Sequence, residues 1–307
     1  MTNLASPIVG IGELLWDLYP DGRKVAGGAP FNFAFHCHQL GHPAVIVSRV
    51  GNDDLGRELR ERVRELGLTD EYIQTDNEHP TGTVQVTLDA NAVPTYTITE
   101  NVAWDYIAWD VDLETRALRL SAVCFGTLAQ RSPMTQSTIR RLADEKLISQ
   151  PLRVCDINLR PPFYDRETID ESLRRCDWTK LNHDELFRLV DMIPLAHFDE
   201  ESPAFELRST YELGLVCVTR GEGGMFAALS AGDITEPGVP AKVVDTVGAG
   251  DSFTAAMVCL HLEGRPLREC AKFAVHYAAR VCEQPGGTPR IDRNDVELAA
   301  FGRKSEA

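Results

Sequence analysis

The stretch Asp245-Thr246-Val247-Gly248-Ala249-Gly250-Asp251-Ser252-Phe253 runs straight into an apolar, helix-like segment at 254–260. Small residues at 248–250 let backbone N–H groups converge at a helix N-terminus, where the first amides lack partners inside the helix and the macrodipole favours negative charge. The pattern describes an anion hole. A carboxylate at Asp251, directly after those amides, stands where a base would take a proton from a hydroxyl attacking a bound phosphate. Taken alone, the same segment also reads as a glycine turn in which Asp251 stabilises the first helical turn. A second segment, Gly27-Gly28-Ala29-Pro30-Phe31-Asn32-Phe33-Ala34, places two glycines and a proline ahead of another helix. The glycines permit close backbone approach and Asn32 can hold a polar ligand, although a helix-capping turn competes with that reading. His36-Cys37-His38 invites a metal, but residues two apart do not share a helix face, and no second cluster nearby completes a ligand set.

Strand-length apolar runs at 7–11, 44–50, 122–125, 152–157 and 215–219 alternate with helical patterns at about 31–40, 54–66, 134–146, 166–175, 184–191 and 203–213. That alternation predicts an α/β fold with a mostly parallel sheet covered by helices on both faces, and ligands at the carboxyl ends of its strands. In the last third, 224–229 and 239–244 look strand-like before three helical stretches at about 249–263, 266–283 and 292–300. Residues 83–88 and 95–99 instead alternate β-branched and polar side chains around Asp89-Ala90-Asn91, the pattern of an exposed antiparallel hairpin that is either a lid or an ordinary edge insertion.

The two glycine-rich segments, in this order and separation, resemble the signature motifs of the ribokinase-like (PfkB) carbohydrate kinases, and four further segments agree. Gly12-Glu13-Leu14-Leu15-Trp16-Asp17 is similar to the end of the family's first strand, and Gly51-Asn52-Asp53-Asp54-Leu55-Gly56 to its turn after the second. Leu181-Asn182-His183-Asp184-Glu185 resembles the family's Asn-x-x-Glu element, and Val218-Thr219-Arg220-Gly221-Glu222-Gly223-Gly224 its nucleotide-facing turn. The resemblance implies one ribokinase-like three-layer domain over 1–307, with a mainly parallel central sheet. It also implies a small β-sheet lid, from segments around 13–25 and 83–110, that covers the sugar and clasps a homodimer. Trp16, Trp104, Tyr106 and Trp109 fall in or beside that lid, to pack on sugar or, better, to fill the dimer interface.

The family's roles carry over residue by residue. Asp251 would be the base, with Gly248, Ala249 and Gly250 forming the anion hole. Asp17, Gly27, Gly28 and Asn32 would bind sugar. Thr219, Gly221, Gly224 and Gly250 would face ATP, Asn182 and Glu185 would hold Mg²⁺ through water, and Asp245 would lie beside a K⁺ loop near Pro285-Gly286-Gly287. Arg160, in Asp156-Ile157-Asn158-Leu159-Arg160, resembles the arginine that fructokinases and 2-keto-3-deoxygluconate kinases place near sugar and phosphates; a loop arginine paired with Asp156 or Asp165 is the plainer alternative. The start of the chain looks fructokinase-like, which makes a fructose-like sugar the expected acceptor. 2-Keto-3-deoxygluconate, ribose or a nucleoside are the alternatives, and outside enzymes so is a catalytically dead sugar or nucleotide sensor. Val275 stands where the family often has asparagine beside adenine, which loosens the nucleotide assignment.

The composition is that of a soluble globular protein long enough for one large α/β domain. Of 307 residues, 43% are hydrophobic, and the net charge of -15 disfavours nucleic acid and anionic lipid as partners. The N-terminal segment has no basic region leading an apolar one, and no 18 uncharged apolar residues occur in a row, so a cytoplasmic protein is expected. The eight cysteines lack C-x-x-C spacing and several sit in apolar runs, as buried reduced thiols do.

Overall fold

A computed structural model describes residues 6–88, 94–117, 119–144, 149–195 and 199–302; the hairpin turn at 89–91 lies outside them. In chain order the strands are β1 (Ile8–Ile11), β2 (Leu15–Leu18), β3 (Lys24–Gly27), β4 (Ala44–Gly51), β5 (Ile73–Asp76), β6 (Gly82–Leu88), β7 (Pro94–Ile98), β8 (Ala122–Gly126), β9 (Leu152–Asp156), β10 (Trp178–Asn182), β11 (Leu215–Thr219), β12 (Met225–Leu229) and β13 (Gly232–Glu236). The helices are α1 (Ala29–Gln39), α2 (Asp54–Glu65), α3 (Val111–Ala117), α4 (Pro133–Leu142), α5 (Arg166–Leu173), α6 (His183–Met192), α7 (Ser202–Thr210), α8 (Ala249–Leu262), α9 (Leu267–Cys282) and α10 (Arg293–Phe301).

Nine strands form the main sheet in the order β13-β12-β11-β10-β9-β8-β1-β4-β5. Pairing is parallel from β5 across to β11 and antiparallel for β12 and β13. Successive side chains of a strand point to opposite faces, and the two faces separate cleanly into two cores. Val9, Ile11, Val123, Phe125, Val216 and Val218 pack with residues of α3–α7, such as Ile139, Leu173 and Leu189. Their neighbours Ile8, Ala122, Cys124, Leu215 and Cys217 pack with Phe33, Phe253, Ala256, Phe273 and Val296 of α1, α8, α9 and α10. A strand buried on both faces has no polar side to alternate, which is why these strands read as continuous apolar runs.

The second sheet, ordered β3-β2-β6-β7, is joined by antiparallel β2–β3 and β6–β7 pairs and a parallel β2–β6 pair. Leu14, Trp16 and Ala26 anchor it on Phe31 and Phe35 of α1 and Leu59 and Val63 of α2. The Asp53 carboxylate caps α2 through Gly56 N (2.7 Å) and accepts from Thr81 N (2.8 Å), tying the turn after β4 to the start of β6.

Three expectations are corrected. Residues 239–244 form no strand: Pro240 and Lys242 interrupt the run, Val243 and Val244 are exposed, and the last strand of the sheet is β13. Residues 103–110 do not join the small sheet, because Ala103–Tyr106 makes a 3-10 turn packed into the main core. Trp104 is fully buried there, with the Arg131 guanidinium 4.0 Å over its ring, so it faces neither a sugar nor a partner. Tyr106 stacks on His79 at 3.7 Å, and Trp109 carries Arg141 at 4.3 Å.

Candidate active site

Gly248 adopts φ +77, and a Cβ there would come within 2.6 Å of the Gly287 backbone, so only glycine turns the chain into α8 at this point. No side chain caps this helix. Its first i→i−4 bond is Ser252 N to Gly248 O (2.8 Å), which leaves the amides of Ala249, Gly250 and Asp251 ahead of the ladder. The Ala249 amide makes a long 3.3 Å contact with Thr246 O. Asp251, partly accessible, accepts from Asn32 Nδ2 at 2.8 Å. That bond joins two segments 219 residues apart.

Asn32 is buried, and its Oδ1 has no partner among the described residues. It rides on α1, whose preceding residue Gly28 has φ +119 and would drive a Cβ to 2.2 Å from Glu13 O. The Glu13 carboxyl crosses from the β1–β2 turn to accept from Ala29 N (3.3 Å), serving the end of α1 that no local side chain caps. A Cβ on Gly27 would lie 2.9 Å from Asp17 Oδ2. Glu13, Asp17, Gly27, Gly28, Asn32 and Asp251 therefore share one small volume.

Its electrostatics are those of carboxyls crowded out of water. Burial pushes Glu13 up to about 7, and Asp251 adds to the effect. Burial likewise pushes Asp17 up to about 6, opposed by the Arg160 guanidinium. Asp251 rises to about 6 through burial and then Asp156, against the Asn32 hydrogen bond, Lys180 and Arg160. Arg160 is exposed and makes no ion pair with Asp156 or Asp165 among the described contacts; it acts on all three site carboxyls instead. Carboxyls held near neutrality in one cleft suit proton exchange with a hydroxyl.

Asp245 accepts from Val247 N (3.0 Å) and from Gly286 N (2.9 Å), so it does stand beside the 285–287 loop. Asn182 and Glu185 form a reciprocal cap at the start of α6. Glu185 accepts from Asn182 N (2.8 Å) with one oxygen and from Leu159 N (2.9 Å) with the other, which fixes the loop leading to Arg160. Among the described residues, no three His, Cys, Asp or Glu side chains gather as a metal cage. His36 belongs to the scaffold: burial holds it neutral, lowered to about 4, between Tyr277 Oη and Gly287 O at 3.0 Å each. Gly221 (φ +56) and Gly224 (φ +84) shape the turn after Thr219, and Gly224 lies against the Glu236 carbonyl with no room for a Cβ. Val275 is buried in the second core.

Asp156, which the sequence offers as an alternative partner for Arg160, is instead paired with Lys180, a residue that no motif marks. The two form a buried ion pair under α8, with Nζ 3.1 and 3.3 Å from the carboxylate oxygens. The available signal was a lone lysine inside the short run Trp178-Thr179-Lys180-Leu181. A cavity of about 610 Å³ lined by Asp105, Tyr106, Arg131, Phe163 and Tyr164 includes none of the convergent residues, which locate the chemistry better than volume does.

A parallel sheet, a helix end whose first amides lie ahead of its hydrogen-bond ladder, a carboxylate beside it and a buried asparagine opposite are parts that suit a phosphotransferase with a hydroxyl acceptor. The chain belongs to the pfkB family of carbohydrate kinases, whose model matches residues 17–293. It is 29% identical to a fructokinase of Klebsiella pneumoniae over 258 residues, 81% of this chain and 82% of that one. It is equally 29% identical to a ribokinase of Arabidopsis thaliana over 317 residues, 95% of this chain and 80% of that one. The crystal structure of a Xylella fastidiosa fructokinase with bound ATP superposes with TM-score 0.85 at 18% identity, covering 96% and 99% of the two chains. The described residues contain no helix long and apolar enough to cross a membrane.

Proposed function

We propose that the chain is an ATP-dependent kinase of a neutral ketohexose, fructose first. The Asp251–Asn32 hydrogen bond carries the reading, because it sets a base at an anion-binding helix end against the polar floor of an acceptor pocket. Asp17, Gly27, Gly28 and Asn32 hold the sugar hydroxyls. Asp251 takes the proton of the reacting hydroxyl as its oxygen attacks the γ-phosphorus and the bond to ADP breaks. The amides of Gly250 and, less freely, Ala249 steady the phosphoryl charge at the Gly248 turn. Thr219, Gly221 and Gly224 line the nucleotide side. Asn182 and Glu185 would hold Mg²⁺ through water, since that ion keeps several waters and needs few protein oxygens, and when bound it would supply neutralisation of phosphate charge. The small sheet acts as lid and homodimer clasp. In support, Tyr96 of β7 lies near enough to Asp17 and Asp245 for their charges, after burial, to push its phenol upward. All eight cysteines are free thiols, in keeping with work in the cytoplasm.

Equal identity to a fructokinase and a ribokinase leaves the acceptor to pocket chemistry, where a few contacts decide. The net charge of -15 offers no general attraction to an acidic sugar. Arg160 favours the second reading, since a guanidinium pairs bidentately with a carboxylate, as in 2-keto-3-deoxygluconate. A coupled ADP-release screen over fructose, ribose, 2-keto-3-deoxygluconate and nucleosides decides. A kcat/KM at least about tenfold higher for the acid sugar replaces the fructokinase reading. For fructose, R160A is expected to lower kcat with little change in KM; for an acid substrate, KM rises steeply. Binding of sugar and ATP without any turnover would make the chain a sensor.

Asp245, bonded to both 247 and 286, motivates a monovalent cation at that loop. K⁺ is expected to raise activity over Na⁺ or choline at constant ionic strength. Identical rates in the three salts remove K⁺ from the mechanism.

A further inference from the structure

The buried pair beneath α8 has no role in the mechanism above. Lys180 on β10 and Asp156 at the end of β9 are direct partners in the sheet register, and their side chains are only 11% and 7% exposed. Thr254, one turn beyond Asp251 in α8, donates its hydroxyl to Asp156 Oδ2 at 3.1 Å. On the other side, a Cβ on Gly250 would fall 2.6 Å from Lys180 Nζ, so the ammonium lies directly against the anion-binding turn. Buried ion pairs add little net stability, because desolvation offsets their attraction. What distinguishes this one is its place, with one charge of each sign packed under the helix turn that carries Asp251.

We propose that Lys180 is a positioning residue that keeps Asp251 ionised and biases the N-terminus of α8 positive, with Asp156 as its counterweight. The inference rests on reading Asp251 as the base. Its direction follows from Coulomb's law in a partly desolvated site, where a nearby cation favours the carboxylate and a nearby anion disfavours it. The tendencies at Asp251 agree: Asp156 raises its proton affinity and Lys180 lowers it, the anion having the larger effect. The other groups that act there are Arg160 from the loop after β9 and Glu13 from the β1–β2 turn. Cys124 of β8 lies within reach too, but burial holds its thiol protonated. Changing the pair replaces none of these residues, and Cys124 stays protonated because burial is the largest effect on it.

The test is the acid limb of the pH profile of kcat/KM in D156N, K180M and the double variant K180M/D156L, each checked for folding by its thermal transition. Ranked from low to high pH, the expected order is D156N, K180M/D156L, wild type, K180M. The two single variants should separate by about one pH unit or more. K180M leaves Asp156 buried without its partner; if it does not fold, the double variant and D156N still carry the test, since the double variant's limb must lie above that of D156N and below that of wild type, and equal limbs in the two would overturn the role of Lys180. A limb that stays at the wild-type position, or moves the same way in both single variants, overturns the inference and reduces the pair to a structural tie. D251N separates this from failure of the underlying reading. Near-normal turnover in D251N overturns the base assignment itself, whereas an inactive D251N with a limb insensitive to the pair overturns only the role of Lys180.

Discussion

D251N is expected to fold and to lose at least ~10²-fold in kcat, the contribution typical of a positioned general base. The amide keeps the shape and the neighbour Asn32 but cannot accept the hydroxyl proton. Wild-type activity should fall as pH drops through about 6, where Asp251 takes up its proton. Stability is expected to move the opposite way from activity. Asp251 has its folded-state value raised from 3.8 to about 6, so its ionisation opposes folding. That contribution is neutral below pH 4 and grows unfavourable between about 4 and 6. At pH 8 the variant should therefore melt above wild type, by an amount on the order of 1–2 kcal/mol after allowing for partial solvent access, and the gap should close below pH 4. Near-normal kcat in the folded variant would remove Asp251 from the chemistry, and equal melting at both pH values would show that the carboxylate is not held against its preference.

Gly28→Ala is expected to cost about 2–4 kcal/mol, the sum of a backbone held at φ +119 and a methyl group driven into the Glu13 carbonyl 2.2 Å away. Gly41 provides the comparison. It has φ +93 with nothing within 4 Å, so G41A carries the backbone term alone, about 1 kcal/mol. Denaturant midpoints of the two variants isolate the contact. If the floor at Gly28 and Asn32 holds the sugar, as proposed, KM for the acceptor should rise in G28A more than KM for ATP. Equal destabilisation of the two variants would sink the claim that close packing between the β1–β2 turn and α1 shapes the acceptor pocket.

The parts of this site legible in sequence are those where backbone geometry restricts the residue type. Gly28 and Gly248 are glycines because their φ is positive and their surroundings admit no Cβ, and such constraints leave a local signature. The strands buried on both faces were legible for a similar reason, as β1, β8 and β11 are near-continuous apolar runs. β10 was not, because Lys180 breaks its apolar character and the charge is explained only by Asp156 on the neighbouring strand. Register between strands is not local information. Nor was the fate of Trp104, since an aromatic beside a lid has the same composition whether it faces out or inserts under Arg131. The strand expected at 239–244 failed differently: its valines fit the pattern, but they flank a proline and lead into the Asp245 turn, where the backbone bonds to Cys282 instead of to a strand.

The two bonds that close the site, Asn32 to Asp251 and His36 to Gly287, span 219 and 251 residues. During synthesis β1, α1 and β4 leave the ribosome together, carrying Gly28 and Asn32, while Asp251 and the loop around Gly287 emerge only in the final fifth of the chain. A nascent chain thus displays half a pocket, with Asn32 waiting for a carboxylate not yet made. Contacts of such sequence separation are slow to form because loop closure precedes any reward. Catalytic competence should therefore be the last property acquired on refolding, appearing after most of the secondary structure and together with the docking of α8 and α9 onto α1.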